Sequence, residues 1–356
     1  MVKWLKYSLV FVVFLVGCEE IYTPKIESRE AILVADARIV FGGNNNFIRL
    51  YKTHGFYEKG IQYPPVSGAE VSILDDKNVE HRLFESIPGN YTANFSLDPQ
   101  YHYKLKIITE GNTYESSFEP VPPLPDLDTV YGEAGIKIVK EGGNNSAEQI
   151  NEVEGVHLYG DILNEKEYPY YRFTTRKVMQ YTYTMQIGDF EETVYAWSSF
   201  YPKENFNVAA PPEFSSSTAI IKHPLTFLTR WPYIGQGKRF AGWILMLYQH
   251  GISESAYNYY NDLNNQINAQ GRLFDPLYVQ ARGNLKCIND STQIVLGNFE
   301  IANIKEHRFF VQYSAVEEGS YFIKTIPYFY DIPNSGDLFG EKPDFWEAPV
   351  KYYPNE

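Results

Sequence analysis

The sequence FAGWILMLY occupies residues 240–248 and carries no charged side chain. A continuous apolar run of this length is typical of a strand that is buried on both faces. The run therefore predicts a buried strand in the second half of the chain, and the patterns around it extend that prediction.

Further strand patterns precede this run. An alternation of apolar residues at 155–162 predicts a strand with one buried face, and segments rich in Tyr and Thr follow at 170–175, 178–187 and 194–197. Such residues suit the pleated, half-buried surface of a sheet. Together the segments predict a β-rich C-terminal domain at residues 129–356.

One amphipathic helix is predicted at about residues 253–270. Ser253 suits the N-cap position, and Glu254 suits the first turn, where the helix dipole is positive. The glycine at position 271 suits the end of the helix. The apolar residues recur at spacings of four, three and four and form one stripe: Ala256, Tyr260, Leu263 and Ile267.

Residues 30–119 have the pattern of short successive strands. Segments at 31–40, 47–51 and 69–74 are rich in β-forming residues and are bounded by Gly, Asn or Pro. Strands at this spacing predict an immunoglobulin-like β-sandwich, one that lacks the cysteine pair of antibody domains. The expected fold class is therefore mainly β, with this sandwich preceding the larger β-rich domain.

A proline-rich segment separates the two regions. Each proline of VPPLP at 121–125 fixes its own φ and biases the preceding residue toward extended structure. We therefore expect a stiff connector at residues 120–128 and place the domain boundary there.

Aromatic residues are frequent, with 30 Tyr and 23 Phe among 356 residues. Planar side chains on a surface can stack on sugars or contact a partner, and an exposed aromatic patch marks an interface more often than an active site. Core packing is the alternative for each residue, because aromatic side chains supply much of core burial. The candidate contact residues are Tyr168, Tyr170, Tyr171, Trp197, Trp231 and Tyr233.

The first residues have the layout of a secretory signal. Two lysines precede an apolar run that is shorter than the roughly 20 residues a membrane span requires. The run ends in LVGC at 15–18, which resembles the bacterial lipobox, whose cysteine receives diacylglycerol and becomes the new N-terminus. We therefore expect a lipoprotein signal peptide at 1–17, lipid on Cys18 and a lipidated tether at 18–29. An ordinary or uncleaved signal with a chance cysteine is the alternative.

Two acidic residues follow this cysteine. Glu19 and Glu20 resemble the acidic pair that directs Bacteroidota lipoproteins to the cell surface. The expected location is the outer membrane, with the protein anchored by lipid and facing the extracellular side.

The sequence carries no signature of catalysis. It lacks a Gly-x-Ser-x-Gly elbow, a His-Glu-x-x-His helix and a Walker-type loop, and its seven histidines show no metal-ligand spacing. We therefore predict no catalytic residue, no metal site and no cofactor. The net charge of -13 disfavours nucleic acid and anionic lipid as main partners. Cys287 lies in a strand-like context and is expected to be a small buried residue.

Several short motifs together resemble one protein family. Four segments resemble those of a Bacteroidota lipoprotein family, domain-of-unknown-function family 4249. They are YPYYRF at 168–173, GRLFDP at 271–276, GN at 283–284 and VLGNF at 295–299. The resemblance extends from Cys18 to about residue 311, although Asn298 stands where the family pattern has Tyr. It implies an outer-membrane lipoprotein that accompanies a TonB-dependent, SusC-like transporter, and it implies no catalytic residues.

The expected function is that of a non-enzymatic surface lipoprotein that docks on a TonB-dependent transporter and helps to capture its cargo. A structural subunit of a larger outer-membrane assembly is the alternative. A glycan- or peptide-cleaving enzyme is a second alternative, because paired carboxylates cannot be picked out from a sequence. The ligand class stays open among small molecules, glycans and peptides.

Overall fold

The computed structural model describes residues 31–43, 46–53, 63–92, 94–141, 149–163, 169–202, 206–213, 217–230, 232–268, 281–313, 321–327 and 331–342. These residues form a mainly β structure with one helix, which confirms the predicted fold class.

The strands are numbered in chain order. In the first part of the chain they are β1 (Leu33–Val40), β2 (Phe47–Lys52), β3 (Glu70–Asp75), β4 (Glu80–Arg82), β5 (Phe84–Ile87), β6 (Asn90–Thr92), β7 (His102–Thr109), β8 (Asn112–Ser116) and β9 (Glu119–Pro120). In the second part they are β10 (Thr129–Glu141), β11 (Gln149–Ile162), β12 (Tyr170–Ile187), β13 (Phe190–Phe200), β14 (Asn207–Ala209), β15 (Ile220–Thr229), β16 (Lys238–Ile252), β17 (Leu285–Cys287), β18 (Val295–Tyr313), β19 (Tyr321–Thr325) and β20 (Ser335–Phe339). The helix α1 spans Glu254–Asn268 and follows β16 in the chain.

Two sheets share one core in the N-terminal half. One sheet contains the order β1-β2-β6-β5, and the other contains the order β17-β8-β7-β3-β4, with β9 paired to β7. Every second residue of β1, from Leu33 to Ile39, points into this core, as the pleat of a strand requires. Val71 and Leu105 enter the core from the opposite sheet. The immunoglobulin-like topology of this sandwich stays a prediction.

The chain returns to this sandwich from far along the sequence. β17 pairs with β8, and the first part of β18 pairs with β1 in parallel. Leu285 and Phe299 are buried in the same core as β1. The sandwich that the sequence predicts at residues 30–119 is therefore completed by residues 285–302, because β1 would otherwise present an open edge of unpaired backbone groups.

β16 lies inside an eleven-stranded sheet of order β20-β13-β12-β16-β18-β1-β2-β6-β5, and we call the part from β20 to β18 the larger sheet. On one face, Trp243 packs beneath a three-stranded sheet of order β10-β11-β15. On the other face, Ile244 and Met246 pack against Ile332. The predicted strand at 240–248 is confirmed, and its apolar run is continuous because both of its faces are covered.

β18 is shared by both halves of the described structure. Residues 295–302 pair with β1, and residues 303–311 pair with β16. At about 3.3 Å per residue, a strand of 19 residues reaches roughly 60 Å. One continuous strand therefore runs from the first sandwich into the larger sheet.

The proline-rich connector is packed against the fold. Asn303 Nδ2 donates a hydrogen bond to the carbonyl oxygen of the buried Pro122 (3.2 Å). Gln249 Nε2 donates to the carbonyl oxygen of Asp126 (3.0 Å), and Lys305 forms an ion pair with the Asp126 carboxylate. Because these partners lie on β16 and β18, the connector is held along its length as it passes from one half to the other.

α1 begins where the sequence predicts. Ser253 Oγ accepts a hydrogen bond from the backbone N–H of Ala256 (3.2 Å), as an N-cap residue does. Ala256 and Tyr260 are buried against β18. Ile267 is 58% exposed, so the last residue of the predicted apolar stripe is not packed against the sheet. Position 271 lies outside the described residues.

The side chains of two asparagines connect β17 to β18. Asn284 Nδ2 donates to the carbonyl oxygen of Phe299, and Asn284 Oδ1 accepts from the Phe299 N–H, both at 2.9 Å. Asn298 Oδ1 accepts from the Asn284 N–H at 3.1 Å. Asn298 therefore has a structural role in this chain.

Two glycines allow this close approach of backbones. A Cβ at Gly283 would lie 1.5 Å from the carbonyl oxygen of Gly297, and a Cβ at Gly297 would lie 2.0 Å from that of Ala35. Gly297 also has φ +96°, a backbone conformation that other residues adopt at a cost. We call these residues the glycine–asparagine clasp: Gly283, Asn284, Gly297, Asn298 and Phe299.

We expect Gly297→Ala to destabilise the protein more than Gly111→Ala. Gly111 also has a positive φ (+79°), but no atom lies within 4 Å of its added Cβ. The control therefore costs only the backbone strain, about 1–2 kcal/mol, whereas Gly297→Ala adds a steric cost of about 1–3 kcal/mol. Urea unfolding of both variants measures the free energy of unfolding. An equal decrease in the two variants would contradict the close backbone contact at Gly297.

Candidate functional site

A cluster of charged groups lies where the two halves of the fold meet, with Arg172 and Glu300 buried and the side chain of Arg38 39% exposed. Arg172 Nη2 on β12 donates to Glu300 Oε1 on β18 at 2.9 Å, and their side chains are 5% and 1% exposed. Arg38 Nε on β1 lies 3.8 Å from the same oxygen. The cluster therefore joins a strand of the first sandwich to two strands of the larger sheet.

Two further side chains contact Arg172. Its guanidinium lies 4.8 Å from the ring centre of Tyr260, and its Nη2 lies 3.3 Å from His250 Nδ1. Because a guanidinium can only donate, Nδ1 accepts, and His250 carries its proton on Nε2, which lies 3.1 Å from Thr174 Oγ1. Burial, together with the charges of Arg172 and Arg38, lowers the pKa of His250 well below its ordinary value, so the ring is neutral.

The carboxyl group of Glu300 is ionised and shielded from solvent. Burial alone would raise the pKa of Glu300, but the charges of Arg172 and Arg38 outweigh burial and hold the pKa below its ordinary value. Perturbed pKa values often mark functional sites, yet buried ion-pair networks perturb them too. Because its side chain is only 1% exposed, Glu300 connects β18 to β12 and is not available to a ligand from solvent.

A groove of about 600 Å³ lies between α1 and the outward face of β1 and β2. Cavities of roughly 300–1,000 Å³ are typical of small-molecule sites. Its walls carry three tyrosines: Tyr51 on β2, Tyr63 between β2 and β3, and Tyr259 on α1. The rings of Tyr51 and Tyr63 meet edge to face with centroids 5.5 Å apart. Leu296 adds apolar surface and Gln266 adds an amide. We call this cavity the tyrosine groove.

A second cavity of about 380 Å³ adjoins the tyrosine groove and shares Tyr51 and Tyr63 with it. Asp36 and Arg49 are cross-strand partners on β1 and β2, and both line this cavity together with Asn90. One negative and one positive group therefore stand beside the tyrosine walls, and their formal charges balance.

The hydroxyl groups of Tyr51 and Tyr259 keep their protons at neutral pH, because the pKa of each is raised. Burial raises the pKa of Tyr51, and Asp36 and Tyr63 add to the rise. Burial, with smaller contributions from Tyr51 and Asp36, raises the pKa of Tyr259 to about 12. The hydroxyls can therefore donate hydrogen bonds as well as accept them.

A β-ribbon with exposed isoleucines projects from the end of the fold that lies away from the tyrosine groove. β15 pairs with β11 only as far as Gly155, so β10 and β11 continue beyond it as a two-stranded ribbon. Ile136, Ile138 and Ile150 of this ribbon are 55%, 62% and 62% exposed. The strand register places all three on one face, because Ile150 pairs opposite Lys140.

The hairpin between β12 and β13 projects from the same end. β16 pairs with β12 only as far as Tyr183, and at the tip of the hairpin Ile187 pairs with Phe190. Phe190 is 75% exposed and Ile187 41%. The neighbouring residues Asp189, Glu191 and Glu192 are acidic. The two hairpins belong to different sheets, and we give their exposed apolar residues one name, the distal patch: Ile136, Ile138, Ile150, Ile187 and Phe190.

The aromatic residues predicted as contacts have different environments. Tyr171 and Trp197 are 2% and 4% exposed, so the prediction is wrong for them: they fill the core on opposite faces of the larger sheet. Tyr170 is half-buried against Tyr257, with ring centroids 5.5 Å apart. Tyr233 is 95% exposed in the connection between β15 and β16. Two candidates lie outside the described residues: Tyr168 and Trp231.

The remaining predicted positions are mostly at the N-terminus. Cys18, Glu19 and Glu20 lie outside the described residues. Cys287 is in β17 and 7% exposed, which confirms the predicted small buried residue. In the part of the chain that the structure describes, no three metal-ligating side chains come together, and no helix has the length and hydrophobicity of a membrane span.

The sequence matches the family described as "Domain of unknown function (DUF4249)" over residues 19–308. This match covers most of the chain and includes the clasp, the tyrosine groove and the distal patch. The chain belongs to the DUF4249 family. The predicted membership is thereby confirmed. Comparisons with curated proteins and with solved structures give no match.

Two of the motifs that suggested DUF4249, GN at 283–284 and VLGNF at 295–299, have a structural role, whereas the groove residues were not predicted from the sequence. Gly283, Asn284 and Gly297 hold β17 and β18 together. Tyr51 and Tyr259 come from a strand and a helix whose contact is visible only in the folded chain. The sequence contains only a weak indication of the groove, because Tyr259 lies beside the predicted apolar stripe of the helix and next to the buried Tyr260.

We expect Glu300→Gln to destabilise this DUF4249 protein by about 3–5 kcal/mol, because it leaves buried positive charge without its counter-charge. The matched control is Glu133→Gln, whose ion pair with Lys222 (2.6 Å) is about half exposed and should contribute little. Urea unfolding at neutral pH measures both. If Glu300→Gln lowers the free energy of unfolding no more than Glu133→Gln does, the buried ion pair does not hold β12 and β18 together.

Proposed function

We propose that this protein is a non-enzymatic lipoprotein of the outer membrane that docks on a TonB-dependent transporter and helps to capture its cargo. The lipobox-like LVGC at 15–18 and the acidic pair after it support the location. The distal patch supports the docking, and the tyrosine groove offers a site for cargo.

The distal patch is the observation that carries the proposal. A two-stranded ribbon is only marginally stable by itself in water, and an exposed apolar face on it marks a contact with another molecule. Its five residues are isoleucines and a phenylalanine, and Phe190 is the most exposed of them at 75%. Such side chains would be buried in the centre of a protein interface.

The charges around the patch indicate the chemistry of its partner. Asp189, Glu191 and Glu192 surround the tip of the second hairpin, and Glu152 lies on the apolar face of the ribbon. With a net charge of -13 for the chain, an anionic lipid surface would be repelled. We therefore propose a protein partner whose apolar surface is bordered by Lys and Arg.

The two surfaces lie at opposite ends of β18. Leu296, at its beginning, lines the tyrosine groove, and residue 311, near its end, pairs with β16 at Trp243. β12 and β13 continue past the level of Trp243 to the hairpin tip. A cargo site and a docking site can therefore be occupied together without competing for space.

We expect Cys18→Ala to release the protein from the membrane fraction, because the acyl group would have no attachment point. Cys287→Ala is the control, since Cys287 is buried and its replacement leaves the N-terminus unchanged. Fractionation of cells followed by immunoblotting measures the distribution. Membrane retention of Cys18→Ala equal to the wild type would contradict lipid attachment at this residue.

We expect the double variant Ile138→Asp, Phe190→Asp to lose its transporter partner. Charged side chains placed at the centre of an apolar interface should reduce co-purification by about ten-fold or more. The control is Phe84→Asp, which changes an equally exposed phenylalanine (71%) on β5 of the first sandwich. Affinity purification from detergent-solubilised outer membrane, followed by mass spectrometry, measures the partner.

Two results would contradict docking: recovery of the wild type alone, and equal recovery of a transporter with the distal double variant. A structural subunit of a larger assembly is the alternative function. Depletion of such a subunit would impair growth on rich medium, whereas loss of a cargo-capture protein would impair growth only on its nutrient.

A further inference from the structure

We infer that the tyrosine groove binds a short, neutral oligosaccharide. The binding itself does not depend on the transporter, but the role of the glycan as cargo rests on the proposed function. Four properties of the groove lead to this ligand: its aromatic walls, its hydrogen-bonding groups, its charge balance and the position of its strands within the sheet.

The aromatic walls suit the faces of sugar rings. Tyr63 is 65% exposed and Tyr51 and Tyr259 are half-buried, so ring surface from all three is available to a ligand. The face of an aromatic ring is electron-rich, and the C–H groups on the flat side of a pyranose carry partial positive charge. The two are therefore complementary, and an apolar contact replaces water on both.

The polar groups of the two cavities suit sugar hydroxyls. Asp36 accepts hydrogen bonds, Arg49 donates them, and the Asn90 amide does both. Gln266 adds a second amide on the α1 side of the groove. A pyranose presents adjacent hydroxyls that both donate and accept, so donors and acceptors close together match it better than a purely apolar ligand.

The charge balance favours a neutral ligand. Asp36 and Arg49 are cross-strand partners, so the cavity carries one charge of each sign, while the chain as a whole is acidic at -13. An anionic glycan would meet repulsion from the whole protein. A cationic ligand would meet Arg49. A neutral sugar chain meets neither penalty.

The position of the strands argues against an extended peptide. Peptides commonly bind by adding a strand to an open sheet edge. β1 is paired with β18 on one side and with β2 on the other, and β2 is paired with β6, so neither β1 nor β2 offers a free edge beside the tyrosine walls. A ligand held against Tyr51 and Tyr63 therefore binds to side chains on the face of the sheet.

The size of the site favours more than one sugar ring. The tyrosine groove and the adjoining cavity measure about 600 and 380 Å³ and share the wall formed by Tyr51 and Tyr63. A chain of rings could follow both, with one ring against Tyr259 and the next beside Asp36 and Arg49.

The test is binding of the full-length protein in detergent micelles to an array of neutral linear oligosaccharides of glucose, mannose, galactose and xylose, with acidic glycans and neutral peptides on the same array. We expect neutral glycans to bind, and titration calorimetry to show little change of affinity between low and high salt, since no net charge is neutralised. Tyr63→Ala should weaken this binding about ten-fold or more. Tyr233→Ala, which removes a tyrosine that is 95% exposed elsewhere, should leave it unchanged.

The inference is overturned if no neutral glycan binds, if acidic glycans or peptides bind more tightly through the same tyrosines, or if Tyr63→Ala binds as well as the wild type. Its failure is separable from that of the proposed function. Tyr63→Ala should still co-purify with the transporter, because the distal patch is intact. A protein that binds glycan but recovers no transporter would refute the docking and leave the groove assignment standing.

Discussion

The fold depends on the buried contact between Arg172 and Glu300. Arg172 lies on β12 and Glu300 on β18, both in the larger sheet. Arg38, whose Nε lies 3.8 Å from the same Glu300 oxygen, lies on β1 of the first sandwich. A buried ion pair of this kind adds little net stability compared with an apolar replacement, but the loss of one partner is costly. The contact therefore acts as a constraint: β1, β12 and β18 fit together in the arrangement that places both guanidinium groups beside the Glu300 carboxylate.

The same face of β1 connects this joint to the tyrosine groove. Residues 34, 36 and 38 point outward along one strand, so Val34 and Asp36 line cavities while Arg38 reaches Glu300. α1 repeats the pattern, because Tyr260 packs on Arg172 while Tyr259 lines the groove. The walls of the groove are thus fixed by residues adjacent to a buried ionic cluster. A site held in this way needs little reordering when a ligand enters, which favours affinity.

The sequence predicts what depends on near neighbours and fails where distant segments meet. The apolar run at 240–248 predicts a buried strand, and the N-cap residue Ser253 predicts the start of a helix. Both predictions succeed because hydrophobic pattern and capping are local properties of the sequence. The pairing of β1 with β18 leaves no local trace, so neither the completion of the first sandwich nor the groove could be derived. Burial of aromatic residues was also undetermined: Trp197 and Tyr233 look alike in sequence, but only Tyr233 is exposed.

The completion of the first sandwich by β17 and β18 also sets the order in which the chain can fold. β1 is among the first elements to be synthesised, yet its parallel partner comes after β16 and α1. Pairing between such distant segments is slow, because the loop between them must close before any contact forms. Until β18 is made, β1 has an unsatisfied edge and part of its core is missing. The N-terminal half therefore stays incompletely folded during most of synthesis, and its core closes only when the last strands are in place.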